Sequence, residues 1–338
     1  MTEPQERPTG KDVAAEAAVA MRWRRRGLLL RVPEEGGGTG GWWRSHAQAA
    51  TPLVLEPRRW RLYFSGRDRQ NRSRILFVDV DPLDDMRVID RHFEPVLELG
   101  PPGSFDSAGQ GACAALLRDG LVHLYYAGIH LRRDVPYGLA IGLAVSTDGR
   151  RFEAAGPGPV LAPGPDEPWF CSVAHVTEAT SGAGLAAWYT SGAGWVALPG
   201  GGFDPVYGLA SAHSPDGIRW RLRPGTRVPA SAETGSLTRP WAATIRGQPR
   251  LFFAQRDNFG FRSEAGSAYR LRHLRLDAAG RPTGAPAPVE FATPPQPGEW
   301  DGFMQAYPSV LPLQGGYVMF YNGDGFGGDG FGWATLDL

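Results

Sequence analysis

Residues 111–152, GACAALLRDGLVHLYYAGIHLRRDVPYGLAIGLAVSTDGRRF, read as three short apolar strands separated by turn residues. Asp119-Gly120 and Asp148-Gly149 mark the turns, because glycine accepts the positive φ that tight hairpins require. The unit recurs at residues 172–220 as SVAHVTEATSG, LAAWYTSG and GLASAHSPDGIRW, with SPDGIRW matching STDGRRF. Working outward, an adjacent aromatic pair closes the central strand five times along the chain: Tyr63-Phe64, Tyr125-Tyr126, Trp188-Tyr189, Phe252-Phe253 and Phe320-Tyr321. Their first members lie 62, 63, 64 and 68 residues apart. A period of this size marks a repeat architecture. EPVLELG (94–100), GPVLAPG (158–164) and APVEFATP (287–294) are expected to supply a fourth strand per unit. No long stretch carries apolar residues at helical spacing, so little helix is expected.

Five four-stranded units arranged radially make an all-β, five-bladed β-propeller, in which each blade hides its faces against its neighbours. The fifth unit ends at Leu338 directly after FGWATLDL and lacks an outer strand. RRGLLLRV, residues 25–32, has no counterpart in the first unit and is expected to close the ring by adding to the last blade. The propeller is therefore assigned to residues 21–338. Residues 1–20, rich in Pro, Glu and Ala, are read as a flexible tail.

Formal net charge is zero, with 35 basic and 35 acidic residues, so neither nucleic acid nor a membrane surface is expected as a partner. Lys11 is the only lysine, so nearly every positive charge is a guanidinium, a group suited to bidentate oxyanion recognition. Cys113 and Cys171 lack metal or redox spacing and read as small buried residues in a reducing compartment. The apolar run GLLLRV is too short for a membrane span or a secretory core, so the chain reads as cytoplasmic.

The segments MRWRRRGLLL, WWRSHAQAATP, YFSGRDRQNRSRI, FDSAG, WYTSGAGW, TRPW and WDGFMQAYPSV, followed by YVMFYNGDGFGGDGFGWA, resemble a bacterial group of glycosidase-like proteins. That group is similar in fold to five-bladed propeller glycosidases of the arabinanase, xylosidase and invertase type, and to the mannoside phosphorylases. The resemblance implies a glycoside hydrolase-like enzyme acting on a small sugar or sugar-derived metabolite in the central pocket. Two departures stand out. Where the group has Phe-Asp-Asp-Ser-Gly, this chain has Phe105-Asp106-Ser107-Ala108-Gly109, and where it has Trp-Asp-Ser-Glu-Met, this chain has Trp300-Asp301-Gly302-Phe303-Met304. The missing acids leave two alternatives open: a non-glycosidic acid–base reaction, such as a cyclisation or hydrolysis in specialised metabolism, and a carbohydrate-binding pseudoenzyme without turnover.

In a small propeller the innermost strands line the channel and their first residues gather at its mouth. Glycoside hydrolysis needs two carboxyl groups, about 5 Å apart for retention or roughly 6.5–9.5 Å for inversion. Asp106 and Asp301, each following an aromatic residue in matching context, are the candidate catalytic pair, with strand capping as the competing reading. His46 in SHAQ is the third catalytic candidate, as a general base or polar contact. Arg239 in TRPW is suited to clamp a carboxylate or phosphate, or to bridge to an aspartate between blades. Trp241, His175, Gln305 and Tyr307 on the inner strands join it as substrate-binding candidates, as do Arg67 and Asp257 in the tails after two aromatic pairs. Trp42, Trp43, Trp169 and Trp195 are further rings for stacking on sugar faces. The segment GDGFGGDGFG reads as a mobile loop over the pocket. A metal site from His46, His130 and His175 has no supporting spacing, so no metal or cofactor is assigned, although an ion in the channel is compatible with the fold. The oligomeric state is left open.

Overall fold

The computed structural model describes residues 21–179, 182–231 and 235–338, and the expected tail over residues 1–20 lies outside them. After β1 (Arg22–Arg31), blade one holds β2 (Ser45–Glu56), β3 (Arg59–Arg67), β4 (Ser73–Asp81) and β5 (Arg87–His92). Blade two holds β6 (Gly109–Arg118), β7 (Leu121–Leu131), β8 (Tyr137–Ser146) and β9 (Glu153–Ala154). Blade three holds β10 (Cys171–Glu178), β11 (Leu185–Ala197), β12 (Phe203–Ser214) and β13 (Arg221–Leu222). Blade four holds β14 (Ser236–Ile245), β15 (Gln248–Arg256), β16 (Arg270–Leu276) and β17 (Pro282–Pro288). After β18 (Glu290–Phe291), the chain builds blade five from β19 (Ala306–Leu313), β20 (Gly316–Asn322) and β21 (Gly330–Asp337). The first strand of each blade touches the first strand of the next, β2 to β6 to β10 to β14 to β19 and back to β2. That circuit is a closed five-bladed propeller.

Local sequence explains the hairpins. Asp119 and Gly120 both have positive φ, 51° and 76°, the turn whose twist matches its flanking strands, and Arg246-Gly247 does the same between β14 and β15. In STDG, Ser146 Oγ accepts the Gly149 N–H (2.9 Å) and Asp148 Oδ1 accepts that of Arg150 (2.7 Å). Ser214 and Asp216 repeat the arrangement in SPDG. The Tyr63 hydroxyl donates to the Gly149 carbonyl (2.7 Å) and that of Tyr125 to Gly217 (3.0 Å), so an aromatic pair in one blade is bonded to the turn of the next. This contact is why the two motifs recur with one period.

The expected fourth strands are displaced. The outer strands β5, β9 and β13 fall elsewhere, and only APVEFATP contributes strand residues, ending β17 and forming β18. The valines of these segments instead hydrogen-bond to the third strand of the blade just completed: Val96 N–H to Ile75, Val160 to Ile141 and Val289 to Leu271, and Val228 does the same to Leu209 in blade three. A short apolar run between turn residues looks like a strand whether it pairs along its length or at one residue.

The ring closes as expected from the sequence. β1 pairs antiparallel with β21 as the outer strand of blade five, and β18 adds to it in parallel. Trp23 is fully buried with Phe252, Tyr321 and Leu336, while Leu30 packs with Trp43, Phe64, Phe331 and Trp333 between blades five and one. Asn322 stitches the same seam: its Oδ1 accepts the Ala49 N–H (2.7 Å), and its Nδ2 donates to the carbonyls of Ala47 (2.7 Å) and Gly330 (2.8 Å). Asn322→Ala strands these buried groups, and urea unfolding should show a loss of about 1–3 kcal/mol. Deletion of residues 21–32 should abolish the single cooperative transition, because blade five then loses its outer strand and exposes an edge.

Candidate functional site at the propeller axis

Each innermost strand breaks register at the same point. β2 does so between Gln48 and Thr51, β6 between Ala112 and Ala114, β10 between Ser172 and His175, β14 between Thr238 and Trp241, and β19 between Ala306 and Ser309. In four of them the bulge carries a non-glycine residue with positive φ: Ala49 (57°), Val173 (44°), Arg239 (52°) and Tyr307 (55°). Such a conformation costs about 1–3 kcal/mol each and persists where the surroundings impose it. Here five strands crowd one axis, and the bulge bends each strand away while redirecting its side chains.

Above the bulges opens a cavity of about 250 Å³. Its polar lining comprises Gln48, Ser65, Arg67, Ser73, Ser172, Tyr137 and Tyr307. Gly111, Ala112, Val173, Ile129 and Leu139 form apolar walls, and the Cys113 thiol, pushed up by burial, faces the same space. Arg67 donates from Nε and Nη2 to Gln48 Oε1 (3.2 and 3.0 Å). Burial holds its guanidinium below the ordinary value, against the opposing pull of the Tyr307 and Tyr137 phenols. Trp195 backs the Tyr137 ring at 5.4 Å. His46 stands beside this group with Nδ1 on Ser45 Oγ (2.9 Å), and burial together with Arg67 brings its pKa down to about 4, so it is neutral at pH 7. No Asp or Glu lines this cavity among the described residues.

Arg239 lies beneath the cavity lining, bonded to the backbone of Ala112 and Cys113. It is fully buried and donates to the carbonyls of Ala112 (3.2 Å), Cys113 (3.0 Å) and Ala50 (3.3 Å) and to Thr51 Oγ1 (2.8 Å). Among the described residues it is bridged to no aspartate, and burial pushes its pKa down to about 10. On its other side lies a second, apolar cavity, of about 430 Å³, lined by His175, Trp241, Leu53, Ala114 and Val310 among others. His175 stacks on Trp241 at 3.9 Å and accepts the Ala242 N–H at Nδ1 (3.0 Å). Burial and Arg239 bring its pKa down to about 3.

Asp106 and Asp301 occupy equivalent places, each four residues before a glutamine and twenty before a tyrosine, and neither lines the axial cavity. Asp106 accepts hydrogen bonds from Ser104 Oγ (2.9 Å), Gln110 Nε2 (2.9 Å) and the Tyr126 hydroxyl (3.2 Å). Asp301, wholly buried, pairs with Arg25 of β1 (2.8 Å) and accepts from the Tyr321 hydroxyl (2.7 Å). Glu167 does the same in blade three with Tyr189 (2.9 Å), and Arg227 pairs with it (2.6 Å). These carboxylates tie the entrance of an inner strand to the aromatic pair on the second strand. Gln305 donates to the Asp301 carbonyl, and Asp257 is exposed with its carbonyl accepting from Arg256 (2.8 Å).

Of the residues singled out from sequence, the structure thus brings Arg67 and Tyr307 together at the cavity with His46 alongside, and puts Arg239 beneath it. Trp241 and His175 belong to the opposite cavity, and Asp106, Asp301, Gln305 and Asp257 to neither. Tyr137 and Ser73 were missed because they lie on third strands, whereas candidates were drawn from inner-strand starts and the tails of second strands, and Ser65 was passed over in the tail that supplied Arg67. Trp43 is core, against Phe64 and Phe93. The glycine-rich loop packs through Phe326 on Phe261 and Tyr269, and Asp324 accepts the N–H groups of Phe303 and Met304 (both 2.8 Å). Among the described residues no three His, Cys, Asp or Glu side chains gather as a metal-binding set.

Removing one partner of a buried ion pair costs about 3–5 kcal/mol, so Asp301→Ala should lower unfolding free energy by that order, with Arg25→Ala non-additive to it in a double-mutant cycle. The histidines give a pH signature. The unfolded chain protonates them near pH 6.5, whereas His46 and His175 in the folded chain stay neutral to about pH 4 and 3, so stability falls as pH drops below 6.5. Each ring contributes up to about 1.4 kcal/mol per pH unit. His175→Gln should reduce the slope of unfolding free energy between pH 6 and 5 by nearly one proton.

No family model matches the chain. It is 33% identical over 322 residues to "Uncharacterized protein Rv1502" of Mycobacterium tuberculosis (strain ATCC 25618 / H37Rv), across 94% of this chain and 100% of that protein. Among solved structures, a glycoside hydrolase superposes with a TM-score of 0.69 at 14% identity, covering 98% of this chain and 96% of that one. A glycosyl hydrolase from Bacteroides ovatus gives 0.66 at 15% identity over 94% of each chain. A structure reported for the GH130 family of mannoside phosphorylases gives 0.65 at 13% identity over 95% of each. At such identities the likeness is one of fold. The chain belongs to the same family as Rv1502, and its architecture is the five-bladed propeller found in glycoside hydrolases.

Proposed function

We propose that the axial cavity binds a single small sugar or sugar-derived metabolite, and that hydrolysis by an Asp106–Asp301 pair is not its chemistry. The observation that carries this reading is the cavity lining: two tyrosine rings, hydroxyl and amide groups and one arginine, with no carboxylate. Aromatic faces suit the C–H faces of sugars, and the serine, glutamine and tyrosine groups suit their hydroxyls. The volume, about 250 Å³, lies below the roughly 300–1,000 Å³ of sites for drug-sized ligands, which favours one ring over an oligosaccharide. The two-carboxylate reaction needs acids flanking one bond, whereas Asp106 and Asp301 are committed to tyrosines of their own blades. The protein then acts as a sugar-binding propeller on a glycosidase-like frame.

A ligand that binds only the folded state raises its stability, by about 2.7 kcal/mol at a hundredfold excess over Kd. Thermal unfolding with a panel of monosaccharides and small glycosides should reveal stabilisation that Tyr137→Ala and Tyr307→Ala abolish and Asp106→Asn leaves in place. Turnover of any glycoside that Asp106→Asn or Asp301→Asn eliminates, with the fold retained, would reinstate the paired-acid reaction.

A further inference from the structure

The class of ligand can be narrowed, on the reading that the cavity holds a sugar-sized molecule. Charge around the cavity is one-sided. Other arginines of the blades meet an acid: Arg25 meets Asp301, Arg61 meets Asp79 at 2.7 Å and Arg74 meets Glu98 at 2.9 Å. Arg67, on the cavity wall, meets none among the described residues. Its three hydrogen bonds go to neutral amide oxygens, two to Gln48 and one from Nη1 to Asn71 Oδ1 (3.1 Å). The adjoining Asp68 is committed elsewhere, to Arg72 (2.8 Å) and to the backbone N–H groups of Gln70 and Arg72 (both 2.9 Å). A guanidinium has five N–H donors, so Arg67 retains one on each terminal nitrogen, the pair that matches two oxygens of an oxyanion.

Beneath the floor Arg239 adds a second cation whose four hydrogen bonds all end on neutral oxygens and whose buried Nε has no partner. Arg67 stands on the wall and Arg239 bonds to the backbone of the lining residues Ala112 and Cys113, so both cations border a concave space without a carboxylate, an arrangement that focuses positive potential inward. His46 beside them is neutral and contributes no opposing charge.

We infer that the ligand is anionic, carrying a carboxylate or a phosphate that Arg67 binds. Arg67 is the residue that selects an acidic sugar or sugar ester over its neutral parent, and Arg239 supplies a fixed charge from below.

The test compares glucose, mannose and galactose, each as the neutral sugar, the uronate and the 6-phosphate, by calorimetry and thermal unfolding on the full chain. The expected result is at least about tenfold tighter binding of one acidic form than of its neutral parent, weakened by added salt. Arg67→Gln should remove that preference, and Arg67→Lys should restore part of it. A preference for the uronate alone or for the phosphate alone supports the inference and identifies the group. Neutral sugars binding as tightly as their acids would overturn it while leaving the sugar-binding reading intact, and this comparison needs no variant to fold. If no member binds, the sugar-binding reading fails and the inference falls with it.

Discussion

Five sheets set in a ring must meet again, and the pairing of β1 with β21 is the contact on which the rest depends. Blade five takes β1 from near the start of the sequence and β19 to β21 from its last residues, so that blade is not complete until β21 is in place. Asn322 then fastens that blade to blade one through the Ala49 N–H and the Ala47 carbonyl, while also holding Gly330 of its own blade. Only a closed ring holds five inner strands close enough to need the bulges at Ala49, Val173, Arg239 and Tyr307, and those bulges set what faces the axis.

The same architecture consumes the acids. A buried tyrosine hydroxyl needs an acceptor, and blades two, three and five supply Asp106, Glu167 and Asp301 to Tyr126, Tyr189 and Tyr321. All three tyrosines are second members of aromatic pairs whose first members pack against other blades, so the strongest repeat signal in the sequence and the strongest acid candidates serve one structural purpose. What remains at the axis is phenol, hydroxyl, amide and guanidinium. On this glycosidase-like fold the carboxylates fasten strands within their own blades and leave the axis to the neutral and cationic groups.

Periodicity made the fold legible, because aromatic pairs and Ser-x-Asp-Gly turns are bonded to each other and so recur together. Closure was legible too, since a strand missing at one end and a spare one at the other admit one solution. The crossovers at Val96 and Val160 were misread as strands, because one backbone bond and a full ladder leave the same apolar run. The site was legible only in part. Arg67 and Tyr307 were found from their places at strand ends, but a bulge adds a residue to the strand and reverses which side chain looks inward, so alternation failed beyond it at Trp241 and His175. Nothing in the local sequence of Asp301 announces Arg25, which lies at the far end of the chain and meets it only when the ring closes.

Arg239 reaches from blade four across to the carbonyls of blades one and two and separates the polar cavity from the apolar one. The propeller is therefore a cup with a septum and not a conduit. A molecule lodged on the polar side would then face a single opening, with the greasy basin shut off behind the guanidinium.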